Sequence, residues 1–261
     1  MKSPIEQFEV VPLINLEIYE GKIDFTVTNL FLANMIILIF MVLLTYYITP
    51  KSNKNNSENI VFFVPNRWQL LIEYLIMTIS QLVADNLGNN SEAQKFLPFI
   101  FSLFNVILLT NLLGLLPYSF TVTSHLIITF LLSFSVFIGT TIVCFQKHNY
   151  KMIELFVPAN TSFLLTLLLV PIEFISYISK PISLGVRLFI NLMAGHCLLK
   201  VIVGFSLKMM LSLDAVLPIF HILPLIILVL LVGLELGVAL IQAYVFTVLT
   251  CIYLSDSINL H

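Results

Sequence analysis

Charge is scarce in this chain. Lysine, arginine, aspartate and glutamate make up 10% of its 261 residues, while 59% are hydrophobic and the mean hydropathy is +1.03. A soluble domain carries roughly 25% charged residues, so the composition excludes that class and points to an integral membrane protein. Net charge is only -2. It gives no sign of nucleic acid or of acidic partners, and no nucleic acid is expected. Cysteine is sparse too: Cys144, Cys197 and Cys251 are odd in number, lie in apolar runs and lack metal-ligand spacing. They read as small core residues, and neither metal nor cofactor is expected. A Gly-rich phosphate loop is also missing, so no nucleotide site is expected here. At the N-terminus, Glu6, Glu9, Glu17, Glu20 and Asp24 outnumber Lys2 and Lys22. That matches neither a transit peptide, which is Arg-rich, nor a signal peptide, which starts basic.

What the chain has is long apolar runs, read as one membrane domain over residues 1–261. After a polar segment, 1–24, the run 25–49 is long enough to span, since about 20 helical residues cross a bilayer. Residues 66–88 differ, with Asn66, Gln69, Glu73 and Ser80 on one face and leucines and isoleucines on the other. That pattern suits an amphipathic helix in the membrane interface. Residues 96–145 form a transmembrane hairpin whose short uncharged turn covers 117–124. Lys51, Lys54, Arg67 and Lys95 precede the hairpin and Lys147 and Lys151 follow it. The positive-inside rule therefore puts the turn and the N-terminus outside. Asn111, in the first arm, suits a helix-to-helix hydrogen bond or a channel wall, the former preferred. The last runs, 162–206 and 216–253, would measure roughly 65 and 55 Å as helices, against about 30 Å of hydrocarbon. No polar turn interrupts either, so two long tilted helices are expected. The fold class is an all-α integral membrane protein.

The first long helix carries Arg187 deep inside an apolar run, where an arginine costs at least about 2.5 to 3.5 kcal/mol. No carboxylate stands three or four residues away, so a helical neighbour cannot pair with it. At about 100° per residue, Glu173, Lys180, Ser183, Arg187 and Asn191 share one face, and His196 points roughly the other way. The second long helix carries Glu235, with Gln242 on nearly the same face and a GxxxG pair, Gly233 and Gly237, beside it. Such a pair lets helices approach closely. Ionisable groups inside a membrane usually mark an ion path.

The stretches TNLLGLLPYSFTVTSH, FVPAN, PIEFISY, PISLGVRLFINLMAGH and LELGVALIQAYVFTVLTCIYL follow one another along the chain. Together they resemble subunit a of F-type ATP synthase, of mitochondrial type, over essentially the whole chain. The resemblance implies a proton-translocating stator subunit of the Fo sector. In it Arg187 is the essential arginine facing the c-ring carboxylates, and Asn191 its neighbour. His196, Glu235 and Gln242 belong to the inlet half-channel, with Glu173 and Asp256 as acidic groups of the opposite one. Many bacterial relatives carry the glutamate and histidine exchanged. Implied partners are the c-subunit ring, the peripheral stalk and other Fo subunits, and membrane lipids. Catalysis of ATP synthesis would then lie in other subunits.

Two other readings compete. A proton-coupled secondary transporter would show internal repeats around a midplane site, and none is found in the sequence. A scaffold whose buried charges only hold helices together would show an ion pair between Arg187 and Glu235. The acidic N-terminus and the Phe- and Ile-rich composition favour the mitochondrial inner membrane over a bacterial plasma membrane as the location.

Overall fold

The computed structural model describes residues 6–14, 17–18, 23–24, 26–48, 67–88, 91–116, 119–149, 163–211 and 219–258. Six α-helices dominate: α1 (Asn29–Ile48), α2 (Arg67–Leu87), α3 (Ser91–Gly114), α4 (Leu126–His148), α5 (Phe163–Leu211) and α6 (Ile219–Ile258). Helices α2 to α6 are each long and apolar enough to cross a membrane by length and composition. The chain is an all-α, multi-pass integral membrane protein. Its polar start forms short antiparallel pairs, β1 (Pro12–Ile14) with β4 (Val27–Thr28) and β2 (Glu17–Ile18) with β3 (Ile23–Asp24). Asn29 joins this segment to α1, accepting from the Val11 amide and donating to the Glu9 carbonyl.

The outer surface is apolar. Leu38, Ile39 and Val42 of α1 and Leu167, Ile175 and Leu230 of α5 and α6 are all exposed, as surfaces meeting hydrocarbon must be. Inside, Ile79, Leu82, Val83 and Leu87 of α2 pack with Ile100 of α3 and Cys251 and Leu254 of α6. A second cluster joins Leu103 and Ile107 of α3, Val136 of α4, Leu184 and Leu188 of α5, and Ala243 and Phe246 of α6. Helix α2 is two-sided: Ile72, Ile79 and Val83 face inward, while Trp68, Leu71, Tyr74 and Met77 are exposed beside Glu73. Asn66 lies outside the described residues. Gln69 donates forward to Glu73.

Helices α5 and α6 contain 49 and 40 residues, roughly 70 and 60 Å of helix. Pro171, Pro181 and Pro224 lie within them. Helix α5 runs past the expected end at 206 to Leu211, and α3 starts at Ser91, ahead of the expected 96. Helices α4 and α5 touch at Gly185, where a Cβ would stand 3.0 Å from the Thr129 carbonyl oxygen and 3.2 Å from the Phe130 Cα. Only glycine fits that crossing.

The hairpin turn differs from an ordinary exposed loop. Ser119 is exposed, but Thr121, Val122, Thr123 and Ser124 are buried. The turn tucks inward because its hydroxyls bond locally: Thr121 Oγ1 donates to Ser124 Oγ at 2.6 Å, and Ser124 Oγ to the Thr121 carbonyl at 2.7 Å. Buried polar groups need such partners.

A polar ladder between the two long helices

Among the described residues, three contacts of polar side chains mark the register of α5 against α6. Lys180 Nζ stands 3.5 Å from Asp256 Oδ2, Asn191 Nδ2 donates to Gln242 Oε1 at 2.9 Å, and the Glu235 carboxylate presses on Gly195, its Cδ 3.1 Å from where a Cβ would stand. Numbers rise along α5 as they fall along α6, so the helices are antiparallel over this stretch. Arg187 lies between the outer rungs, roughly 10 Å along the helix from Lys180 and roughly 12 Å from Gly195.

Arg187 is exposed on α5, as are Glu173, Ser183 and Asn191. Among the described residues it makes no hydrogen bond or ion pair, and the pair with Glu235 that a scaffold would need is not formed. Glu235 is instead 9% exposed, and neither of its carboxylate oxygens has a hydrogen-bond partner. His196 is half-buried, and its Nε2 also lacks a partner. No hydrogen bond joins His196 to Glu235. The imidazole leans instead toward the end of α3, where a Cβ on Gly114 would lie 3.9 Å from Nε2 and 3.1 Å from Thr121 Cγ2.

The lower rung has a small crevice beside it. Lys180 sits over the rings of Tyr177 and Tyr253, at 5.9 and 5.3 Å. With Phe137, Thr140, Cys144, Asp256 and Ser257 these residues line a cavity of ≈ 20 Å³, enough for one water molecule.

With this geometry in view, the chain can be set beside known proteins. Residues 31–255 match the family ATP synthase A chain. The chain belongs to that family. It is 49% identical over 259 residues to ATP synthase subunit a of Pylaiella littoralis, covering 99% of each chain. It is 46% identical to the subunit a of Brassica napus over 100% of this chain and 97% of that one. To the subunit a of Chondrus crispus it is 44% identical, over 99% and 97%. The match with the ATP synthase A chain family thus takes in all of α5 and all but the last three residues of α6, with the Asn191–Gln242 and Gly195–Glu235 rungs, and stops one residue short of Asp256.

One expectation needs correction. The approach of α5 to α6 does not run through Gly233 and Gly237, where a Cβ would meet nothing within 4 Å. Gly195 supplies it, on the opposite helix, because the Glu235 side chain fills the space a Cβ would take. Gln242, on nearly the same face as Glu235, accepts from Asn191. The preferred reading of Asn111 holds: it donates to the Ala239 carbonyl at 3.3 Å, a helix-to-helix bond, and its Oδ1 remains unpartnered. Sequence alone marked Lys180 only as a member of the Arg187 stripe, because its partner Asp256 lies on the other helix.

Proposed function

We propose that this chain is the proton-translocating stator subunit of an Fo sector, with two offset half-channels and Arg187 facing the carboxylates of a rotating c-subunit ring. The observation that carries the reading is Arg187 itself, a cation exposed on a membrane helix with no acid partner among the described residues. A charge so placed is costly unless a carboxylate of another subunit meets it. An ionised ring carboxyl is stabilised near that positive group, and a protonated one can face lipid. Arg187 then blocks a straight leak, and protons travel with the ring. His196, Glu235 and Gln242 line the inlet half-channel, Asn191 stands beside the arginine, and Glu173 and Asp256 line the opposite one. The membrane potential supplies about 2.3 kcal/mol per charge per 100 mV.

The remaining partners are the peripheral stalk, other Fo subunits and lipids. The N-terminus and the hairpin turn face outward, α2 lies in the interface, and the membrane is the mitochondrial inner membrane. The test is Arg187→Ala in the assembled complex. Proton-driven ATP synthesis is expected to fall to background, and synthesis retained at normal assembly would overturn the assignment.

A further inference from the structure

The last turn of α6 carries charge of the wrong sign. A helix C-terminus is the negative end of the helix dipole and favours cations, yet this turn holds Asp256 and has no basic residue. The last carbonyls of a helix also lack partners within it. Other helices supply what the turn lacks. Lys180 of α5 stands 3.5 Å from Asp256 Oδ2, and His148, the last residue of α4, places Nε2 3.0 Å from the Ile258 carbonyl oxygen. A carbonyl can only accept, so Nε2 is the protonated nitrogen and donates. This contact ends a continuous seam. Phe137, Thr140 and Cys144 precede His148 on one face of α4, at helical spacing, and line the crevice shared with Lys180 of α5 and Asp256 of α6. Thr140, Cys144, Leu254 and Ser257 are buried along it, and Ser257 Oγ donates back to the Leu254 carbonyl at 2.7 Å.

The ion pair cannot hold the turn by itself. Its side chains are 34% and 43% exposed, and pairs so exposed contribute little to stability. The bond from α4 reaches the backbone of α6 directly, two residues beyond the carboxylate. We propose that His148 is a positioning residue: its bond to the Ile258 carbonyl fixes the last turn of α6 against α4 and so keeps the Asp256 carboxylate at Lys180. The bearing of this clamp on proton flow rests on the reading of Asp256 as a group of the half-channel opposite the inlet. Helix ends are the first parts of a fold to open. Without the donor from α4 the turn frays, and Asp256, which lies within that turn, leaves Lys180 with it.

The experiment compares His148→Gln with His148→Leu in the assembled complex. A glutamine amide can donate as Nε2 does, and leucine cannot. The first measurement is hydrogen exchange of the backbone amides of residues 254–258. His148→Leu is expected to speed it about fivefold, the scale of one net hydrogen bond, and His148→Gln to stay close to the parent. Exchange unchanged in the leucine variant, or raised equally in both, overturns the proposal. The second measurement is proton-driven ATP synthesis in membrane vesicles for His148→Leu, Asp256→Asn and the double variant. If the histidine acts through Asp256, His148→Leu slows synthesis in the parent and adds nothing once Asp256 is replaced, because residues coupled in one unit are not additive. An equal further loss in the Asp256→Asn background means that His148 merely packs α4, and overturns the positioning role. Asp256→Asn as fast as the parent, with the exchange result in place, overturns instead the reading of Asp256 as a half-channel group and leaves the clamp standing.

Discussion

Gly195 and Glu235 form the closest packing in the ladder, and the pair shows why a buried carboxylate needs a particular neighbour. Any Cβ at position 195 would collide with Glu235, so the glutamate keeps its place only against bare backbone. His196, next along α5, brings its imidazole to the same layer without bonding the carboxylate. Histidine beside a carboxylate can take up and release protons near neutral pH, and two groups in one layer should be energetically coupled. His196→Glu and Glu235→His are therefore each expected to impair proton-driven synthesis, and the double exchange to recover part of it. A double variant no better than the worse single one, at full assembly, would end the pairing claim. Glu173, exposed on α5 about 21 Å from Arg187 along the helix, is the group proposed for the other half-channel. Glu173→Gln is expected to slow proton exchange on the side of the basic loops, and rates equal to the parent's would reduce it to an anchor of the helix.

At the scale of elements, the crossing of α4 and α5 is set by one residue. Gly185 meets the backbone of Thr129 and Phe130 as well as the Ser133 hydroxyl, and backbone cannot swing aside as a side chain can. Gly185→Ala should destabilise the packed helices by about 1 to 3 kcal/mol, the usual cost of overpacking. Gly139, on α4, has nothing within 4 Å of its Cβ position. Gly139→Ala is expected to be neutral or slightly stabilising, since alanine favours helix by about 1 kcal/mol. Thermal melting of the purified complex should lower the midpoint for the first variant only. Equal midpoints would show that the crossing yields. The sequence offered no means of ranking these two glycines, because both sit in apolar helices and only the neighbouring helix distinguishes them.

For the whole molecule, the expected orientation follows from charge at the ends of the helices and in the segments between them. Basic residues flank the hairpin and none lies in its turn, and the positive-inside rule then places residues 51–59 and Ser119 on opposite sides. Cysteines introduced at Ser57 and Ser119 are expected to label from opposite faces with an impermeant reagent. Labelling from one face would reverse that arrangement. Ser119 is a sound probe because it is exposed while Thr121, Val122, Thr123 and Ser124 fold inward.

Hydrophobic run length and the scarcity of charge by themselves determined the all-α membrane class and the existence of α5 and α6, because the bilayer enforces helix wherever apolar residues continue. Local spacing likewise placed Arg187, Asn191 and Glu173 on one face and His196 on another, since helical periodicity is a property of a single segment. Partnerships between segments were settled only by the tertiary fold. Gln242, on nearly the same face as Glu235 in sequence, bonds Asn191; Asp256 meets Lys180; and Gly195, not the Gly233 and Gly237 pair, admits the close approach. Each of these depends on the rotation and register of one helix against another, which periodicity within a segment cannot encode. The buried hydroxyl turn is of the same kind: its residues are polar enough for water, and only the packing of α3, α4 and α5 around it removes them from bulk solvent.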